Sequence, residues 1–199
     1  MFVLETERLI LRPLRISDVD DLFEYQSQPE IVAYIPWPER TREQVVEALE
    51  KALANGKDTL TQDGDFILLG WELKDCAANA ETFGADAMVT LTGKVIGQSN
   101  IGVRSWRDQC ADIGWVTHQD FQRRGFAFEA TLELMRHAFS EYSLHRIVAD
   151  IDTRNPESAL LAERLGMRRE AEYKDGEFFK GAWCDMWLYA ILKHEFARY

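Results

Sequence analysis

A strand that enters a helix through a glycine-opened turn is the feature that most restricts how this chain can fold. Ala111-Asp112-Ile113-Gly114-Trp115-Val116 reads as a strand, and Phe128, Leu132, Met135 and Phe139, spaced by four, three and four, mark one apolar face of a helix. Between them lies Gln122-Arg123-Arg124-Gly125-Phe126-Ala127. The first N–H groups of a helix have no internal partner, and the aligned peptide dipoles leave partial positive charge there. A turn that exposes backbone amides at that point holds an anion. Gly125 permits positive φ and close approach of backbone to a ligand, Ala127 keeps the next turn small, and Arg123 and Arg124 add charged donors suited to phosphate oxygens. The segment predicts a pyrophosphate cradle, and a basic turn that merely caps a helix is the plainer alternative.

With 199 residues and 46% hydrophobic content, residues 1–199 are expected to form a single domain with a sizeable core. A net charge of −11 leaves no basic stripe for nucleic acid, although a local basic pocket remains compatible with it. Cys76, Cys110 and Cys184 are odd in number and form no C-x-x-C pair, which fits a reducing compartment and packing roles. None of the three has a base beside it in sequence, so no acyl-cysteine route is expected. His118, His137, His145 and His194 show no metal-ligand spacing, and no metal is expected. The start, Met1-Phe2-Val3-Leu4-Glu5, lacks a basic region followed by an apolar run, and no stretch approaches a membrane span. The expectation is a soluble cytoplasmic protein.

Along the chain, Thr6–Leu14 alternates and ends at a proline, a first strand. Ser17 with Asp18, Asp20 and Asp21 reads as a helix start whose inward stripe is Val19, Leu22, Phe23 and Gln26. Tyr34-Ile35-Pro36-Trp37-Pro38 is a loop, because its prolines remove donors and fix φ. A second helix starts at Thr41, with Val45, Leu49, Ala52 and Leu53 at helical spacing, and closes near Gly56. Phe66–Lys74 is a strand. Asp75–Gly93 reads as a loop whose Met88-Val89-Thr90-Leu91-Thr92 leads into a hairpin, followed by a strand over 94–106 bent at Gly97 or Gly102. Arg146–Ile151 has the apolar, β-branched character of a central strand. Asn155-Pro156-Glu157-Ser158 opens a helix with a cap residue and proline at the first position, and Gly166 stops it. Met167–Tyr173 and Ala182–Leu192 form a last hairpin across Lys174-Asp175-Gly176, with Trp183, Trp187 and Tyr189 on one side.

Gln-x-x-Gly-x-Ala after a strand resembles the loop with which the GCN5-related N-acetyltransferases (GNAT superfamily) take the pyrophosphate of acetyl-coenzyme A. Thr6-Glu7-Arg8-Leu9-Ile10-Leu11-Arg12-Pro13-Leu14, the Asn155-Pro-x-Ser helix running to Leu165-Gly-Met, and Asp185-x-x-x-Tyr189-Ala-Ile-Leu are similar to the RimJ/RimL-like branch. These patterns cover residues 6–14, 111–127, 155–167 and 185–192 in the family's order. Two departures stand out: Gln119 where relatives often have proline, and Arg123 where they often have glycine. The 75–93 segment is also longer than the family leads one to expect.

The resemblance implies a mixed α/β domain: a twisted, mostly antiparallel sheet of about seven strands, flanked by helices and splayed near the fourth strand. It implies transfer of acetyl from acetyl-CoA to a primary amine by direct attack in a ternary complex. The acceptor is the amino terminus of a protein or peptide, or a small amine such as a polyamine, amino acid or antibiotic. A noncatalytic acyl-CoA binder is the alternative of another class.

Within that plan, Trp115, Val116, Gln122, Arg123, Arg124, Gly125, Phe126, Ala127, Asn155 and Ser158 are the expected coenzyme contacts, with the Val116 N–H meeting the acetyl carbonyl. An α-amino group with pKa near 8 needs less help from a base than a lysine near 10.4. Asp112, Glu170 and Glu172 are the competing carboxylates for that proton, each also readable as strand surface charge. Ser158 is the candidate donor to the leaving sulfur, compatible with Asn155 and Ser158 capping their helix. Tyr34 and Trp37 fall where the acceptor wall would be, or simply anchor their loop, and Tyr189 is expected in the core with a satisfied hydroxyl. The aromatic last strand offers one way to pair across a homodimer.

Overall fold

The computed structural model describes residues 2–196. Alternating apolar segments make eight strands: β1 (Leu4–Glu5), β2 (Leu9–Pro13), β3 (Phe66–Leu73), β4 (Val95–Ser105), β5 (Cys110–Thr117), β6 (Arg146–Asp152), β7 (Arg168–Phe179) and β8 (Ala182–Leu192). They lie in one sheet in the order β1-β2-β3-β4-β5-β6-β8-β7. Every neighbouring pair is antiparallel except β5 and β6, which run parallel. The helices are α1 (Val19–Gln26), α2 (Pro29–Val32), α3 (Arg42–Asn55), α4 (Ala77–Phe83), α5 (Ala85–Leu91), α6 (Phe126–Glu141), α7 (Pro156–Arg164) and α8 (Lys193–Phe196). Among the described residues, no helix is long and apolar enough to cross a membrane.

Apolar side chains leave both faces of the sheet. On one, Ala111 and Ile113 of β5 pack with Phe126, Leu134 and Met135 of α6. On the other, Val116 packs against a second cluster of Leu22 and Tyr25 from α1 and Val45 and Leu49 from α3. Burying a leucine or valine stabilises by roughly 1.5–3 kcal/mol, so these two layers fix β5 between the helices. Arg12, buried under α1, donates to both oxygens of Asp18 at 2.8 and 2.9 Å and also to Glu72.

Several details differ from the sequence reading. Residues 77–91 are two helices rather than a loop and strand, because alanine-rich helix formers at 77, 78, 80, 85 and 87 present Phe83, Met88 and Leu91 to the protein. The last hairpin does not turn at Lys174-Asp175-Gly176. Residues 174–176 form an unpaired bulge in β7, where Asp175, at φ 49°, donates its N–H to the Asp185 side chain, and the chain reverses at Lys180-Gly181, both at positive φ (53° and 78°). β4 runs unbroken from Val95 to Ser105, with one register shift against β3 between Val95 and Gln98, where the expected irregularity at Gly97 falls, and a second against β5 between Val103 and Ser105 rather than at Gly102. The expected Ser17 cap is not made: Asp18 stands at the N-cap position of α1 without a side-chain cap bond, and its carboxylate accepts from the Arg15 N–H across the short turn Ile16–Asp18 that precedes the helix. β8 lies between β6 and β7, so its residues 186–190 are paired on both edges, while residues 182–184 pair with β7 alone.

Candidate active site

β5 and β6 are paired only over Cys110↔Arg146, Ala111↔Ile147 and Asp112↔Val148. Beyond that point β5 pairs with β4 alone and β6 with β8 alone, so a gap opens between two parallel strands. Peptide groups along its lips lack sheet partners and are available to a ligand.

Alternation decides which groups these are. The His118 N–H donates to Ile96 O at 2.9 Å, and a Cβ on Gly97 would meet the Val116 carbonyl oxygen at 2.7 Å. Peptide groups reverse direction at each residue of a strand, so Gly114 and Val116 face β4 while Ile113, Trp115 and Thr117 face the gap. The Val116 N–H, expected at the gap, faces β4 instead, and the Trp115 N–H faces the gap. The Val116 side chain turns to the α1 and α3 layer, and the Trp115 side chain to the α6 layer.

Past the open end of β5 the chain makes the expected turn. Gly125 is the N-cap of α6 with φ 85° and ψ −3°, and the first intrahelical bond runs from the Glu129 N–H to Gly125 O at 3.0 Å. The N–H groups of Phe126, Ala127 and Phe128 precede that bond and point out of the helix end. Arg123 takes φ 59°, the left-handed conformation that a glycine would adopt freely. Gln122 Nε2 donates to Thr117 O at 3.3 Å and ties the turn back to the strand. Arg8 supports it from below, donating to Arg124 O at 2.9 Å and to Glu129 at 2.7 Å, while Thr6 donates to the same carboxylate at 2.5 Å. The Thr-Glu-Arg-Leu stretch thus holds the cradle helix by its first turn.

Across the gap, the Asn155 side chain caps α7 by accepting from the Ser158 N–H at 3.1 Å. Trp115 Nε1 donates to Ser158 Oγ at 3.3 Å, which joins the two sides. Asp112 sits at the last paired position, and burial pushes its carboxyl above the ordinary range against the pull of a backbone hydrogen bond and Arg104.

Glu170 and Glu172 are placed elsewhere, on the edge strand β7, separated from β6 by β8. Glu170 accepts from Arg146 and Arg168, each at 2.5 Å. Glu172 accepts from Trp187 Nε1 and pairs with Lys174, whose hydrogen bond holds the carboxyl low. Tyr189 is buried and donates to Glu163 at 3.2 Å. Tyr34 lies 5.7 Å beneath the Arg154 guanidinium, just after β6, and Trp37 lies 4.9 Å beneath Arg40. Lys180, at the tip of the β7–β8 hairpin, donates to Val32 O, so the hairpin meets the end of α2.

The sequence reading missed a buried polar chain beside Val116. Tyr25 donates to Gln98 Oε1 at 2.9 Å, and Arg40 donates to Gln26 Oε1 at 2.6 Å. His118 is buried as well: its Nδ1 accepts from the Asp120 N–H, which leaves the Nε2 proton for Glu24 at 3.0 Å. Burial pushes the Glu24 carboxyl up, but hydrogen bonds from Lys94 and His118 outweigh that and hold it low. Partners 72 to 94 residues apart leave no local pattern that would have disclosed them.

The acetyltransferase (GNAT) domain family matches residues 8–168. The chain is 28% identical over 190 residues to the N-acetyltransferase YnaD of Bacillus subtilis (strain 168), covering 96% of each. It is 32% identical over 100 residues to the [ribosomal protein uS5]-alanine N-acetyltransferase of Escherichia coli (strain K12), covering 49% of this chain and 51% of that one. The crystal structure of a GNAT-family acetyltransferase from Bacillus anthracis has the same fold, with a TM-score of 0.78 over 97% of this chain and 99% of that one at 24% identity.

Proposed function

This chain belongs to the GNAT acetyltransferase family, and from that premise we propose that it moves an acetyl group from acetyl-CoA to the amino terminus of a protein or peptide, by direct attack within a ternary complex. The observation that carries the proposal is the gap between β5 and β6, with the α6 cradle at its open end and Ser158 on its far side. The similarity to a [ribosomal protein uS5]-alanine N-acetyltransferase supports a protein acceptor.

The residues fit the coenzyme. The helix-end amides of Phe126, Ala127 and Phe128, with Arg123 and Arg124, hold a diphosphate, and Gly125 admits close approach of the backbone, only the Arg8 guanidinium lying near its missing Cβ. The outward peptide groups of Ile113 and Trp115 suit an amide-bearing arm laid along β5, while the Thr117 carbonyl is taken by Gln122. When bound, acetyl-CoA supplies an activated carbonyl and a sulfur leaving group.

Asp112 takes the proton from the amine, directly or through a water; its raised pKa makes it a stronger base than an exposed aspartate. The Trp115 N–H stabilises the carbonyl oxygen as charge develops, a contribution of roughly 10²–10³ in rate for one preorganised donor. Ser158, whose oxygen already accepts from Trp115, donates a hydrogen bond to the departing thiolate, which takes its proton from solvent and leaves the hydroxyl intact. Tyr34 and Trp37 form the acceptor wall on the α1 side. Glu170 and Glu172, held by their cations on β7, are left out of this scheme.

Release of free thiol from acetyl-CoA, followed with a panel of N-terminal peptides and of polyamines, amino acids and aminoglycosides, tests the proposal. Turnover with peptides supports it. Turnover with small amines alone moves the acceptor to the second class, and coenzyme binding without turnover on any amine leaves a noncatalytic binder.

A further inference from the structure

The helices α4 and α5 lie against the coenzyme cradle. Phe83, the last residue of α4, stacks on Phe126 with ring centroids 6.0 Å apart and planes 2° from parallel, and meets Phe121 at 5.5 Å. Phe121 precedes the turn and Phe126 follows it, so one ring from the inserted segment touches both sides of the cradle. The Arg124 guanidinium rests on the outer face of that same ring, 4.9 Å from its centroid.

Other contacts fix the insert in place. Asn79, fully buried, donates from Nδ2 to Arg8 O and to Lys74 O, each at 2.9 Å. Arg8 in turn lies 4.3 Å over the Phe126 ring, so Phe126 is held between Phe83 and Arg8. Arg124 is exposed and has no ion-pair partner among the described residues; besides the ring, it reaches only Asp120 O at 3.4 Å. An exposed arginine on an aromatic shelf loses less freedom when it grips an anion than one free in solvent.

We infer that Phe83 is a positioning residue for the coenzyme: it shapes the turn and holds Arg124 where a diphosphate is to be bound. The inference rests on the acetyl-CoA reading above and gives the 75–93 segment a role in it. Arg123, next in the chain but without such a shelf, contributes less.

The test is calorimetry with coenzyme A on the unaltered protein, Phe83→Ala, Arg124→Gln and the double variant, with kcat measured at saturating acetyl-CoA and an N-terminal peptide. Expected is a roughly five- to tenfold weaker Kd for Phe83→Ala, unchanged kcat, near-normal binding for Phe83→Tyr, and a double variant little weaker than Arg124→Gln alone. Unchanged Kd for Phe83→Ala, or fully additive losses in the double variant, overturns the inference while the coenzyme reading stands. A fall in kcat with Kd unaltered also overturns it. Failure of the unaltered protein to bind coenzyme A overturns both.

Discussion

Trp115 Nε1 donates to Ser158 Oγ at 3.3 Å, across the opening where β5 and β6 part. The serine N–H is taken by Asn155 Oδ1, and the hydroxyl oxygen accepts from the indole, so the one proton left unassigned is that of the hydroxyl. A thiol leaving group has a pKa near 8.5, so a hydrogen bond to it helps less than one to an alkoxide. Ser158→Ala is expected to lower kcat by about 10², the lower end for a preorganised hydrogen-bond donor, with little effect on coenzyme affinity. Trp115→Phe keeps an aromatic ring but removes the pyrrole portion together with its donor, and a smaller fall is expected. Because Asn155 still caps the helix, neither variant should shift the unfolding midpoint by much. Full kcat in Ser158→Ala at saturating donor and acceptor would remove the serine from the scheme.

Asp112 links the chemistry to stability. Burial raises its carboxyl above the ordinary value of 3.8, so the folded protein holds this proton more tightly than the unfolded chain does. Stability therefore falls as pH rises from that ordinary value through the folded pKa, and the ionised carboxylate remains a cost above it. Asp112→Asn is expected to flatten that fall and to be the more stable protein at neutral pH. The same change should cost 10²–10⁴ in kcat/KM, by the usual worth of a positioned base, and should remove the acidic limb of the rate profile. Urea unfolding and initial rates across the same pH series measure both. An Asn variant that keeps the acidic limb shows that another group takes the proton.

The cradle depends on one backbone conformation. Gly125 has φ 85°, and a Cβ there would lie 3.3 Å from Arg8 Nη2. A non-glycine residue in that region costs about 1–2 kcal/mol, and a carboxylate would also sit where the phosphate oxygens are to bind. Gly125→Glu is expected to abolish detectable coenzyme uptake in calorimetry while the protein remains folded by circular dichroism. Equal uptake by variant and parent would mean that the ligand is held elsewhere.

The buried Arg12 depends on its acids. It is 4% exposed, bridges Asp18 and Glu72, and Asp18 also accepts from the Arg15 N–H at the start of the first helix. Removing one partner of a buried pair typically costs about 3–5 kcal/mol, so Asp18→Ala is expected to lower stability by about that much. Replacing both, with Arg12→Met and Asp18→Leu, should recover part of the loss. Denaturant midpoints decide the matter; a single variant as stable as the parent would show that water compensates the charge.

What could be read from sequence was local. β5, the turn at Gly125 and the start of α7 each carry their signals within a few residues, as period, cap and glycine. Whether Val116 or Trp115 turns its amide to the gap depends on which edge of β5 meets β4, and a single strand does not carry that information. Glu170 and Glu172 lie on a charged strand that the sequence does not place within the sheet, and only the sheet order puts them at the edge. Lys174-Asp175-Gly176 has turn chemistry, yet it forms a bulge within β7 that the Asp185 side chain holds, and the strand runs on past it. Ser158 and Trp115 meet across 43 residues of chain.

The width of the gap is set partly from the far side of β5. Gly97 on β4 lies opposite Thr117, and a Cβ there would meet the Trp71 ring at 2.4 Å and the Val116 carbonyl oxygen at 2.7 Å. Trp71 has no room to retreat: it is fully buried, and its Nε1 is fixed to Ser99 Oγ at 3.0 Å. Gly97→Ala must therefore move the indole or push β5 towards β6. Overpacking of this kind costs typically about 1–3 kcal/mol, and urea unfolding should show a loss of that size. If β5 is the part that yields, the Trp115 amide and indole move with it, and kcat per folded molecule falls although no catalytic group has been touched. A Gly97→Ala protein with unaltered stability and turnover would show that the two strands are not in this close contact.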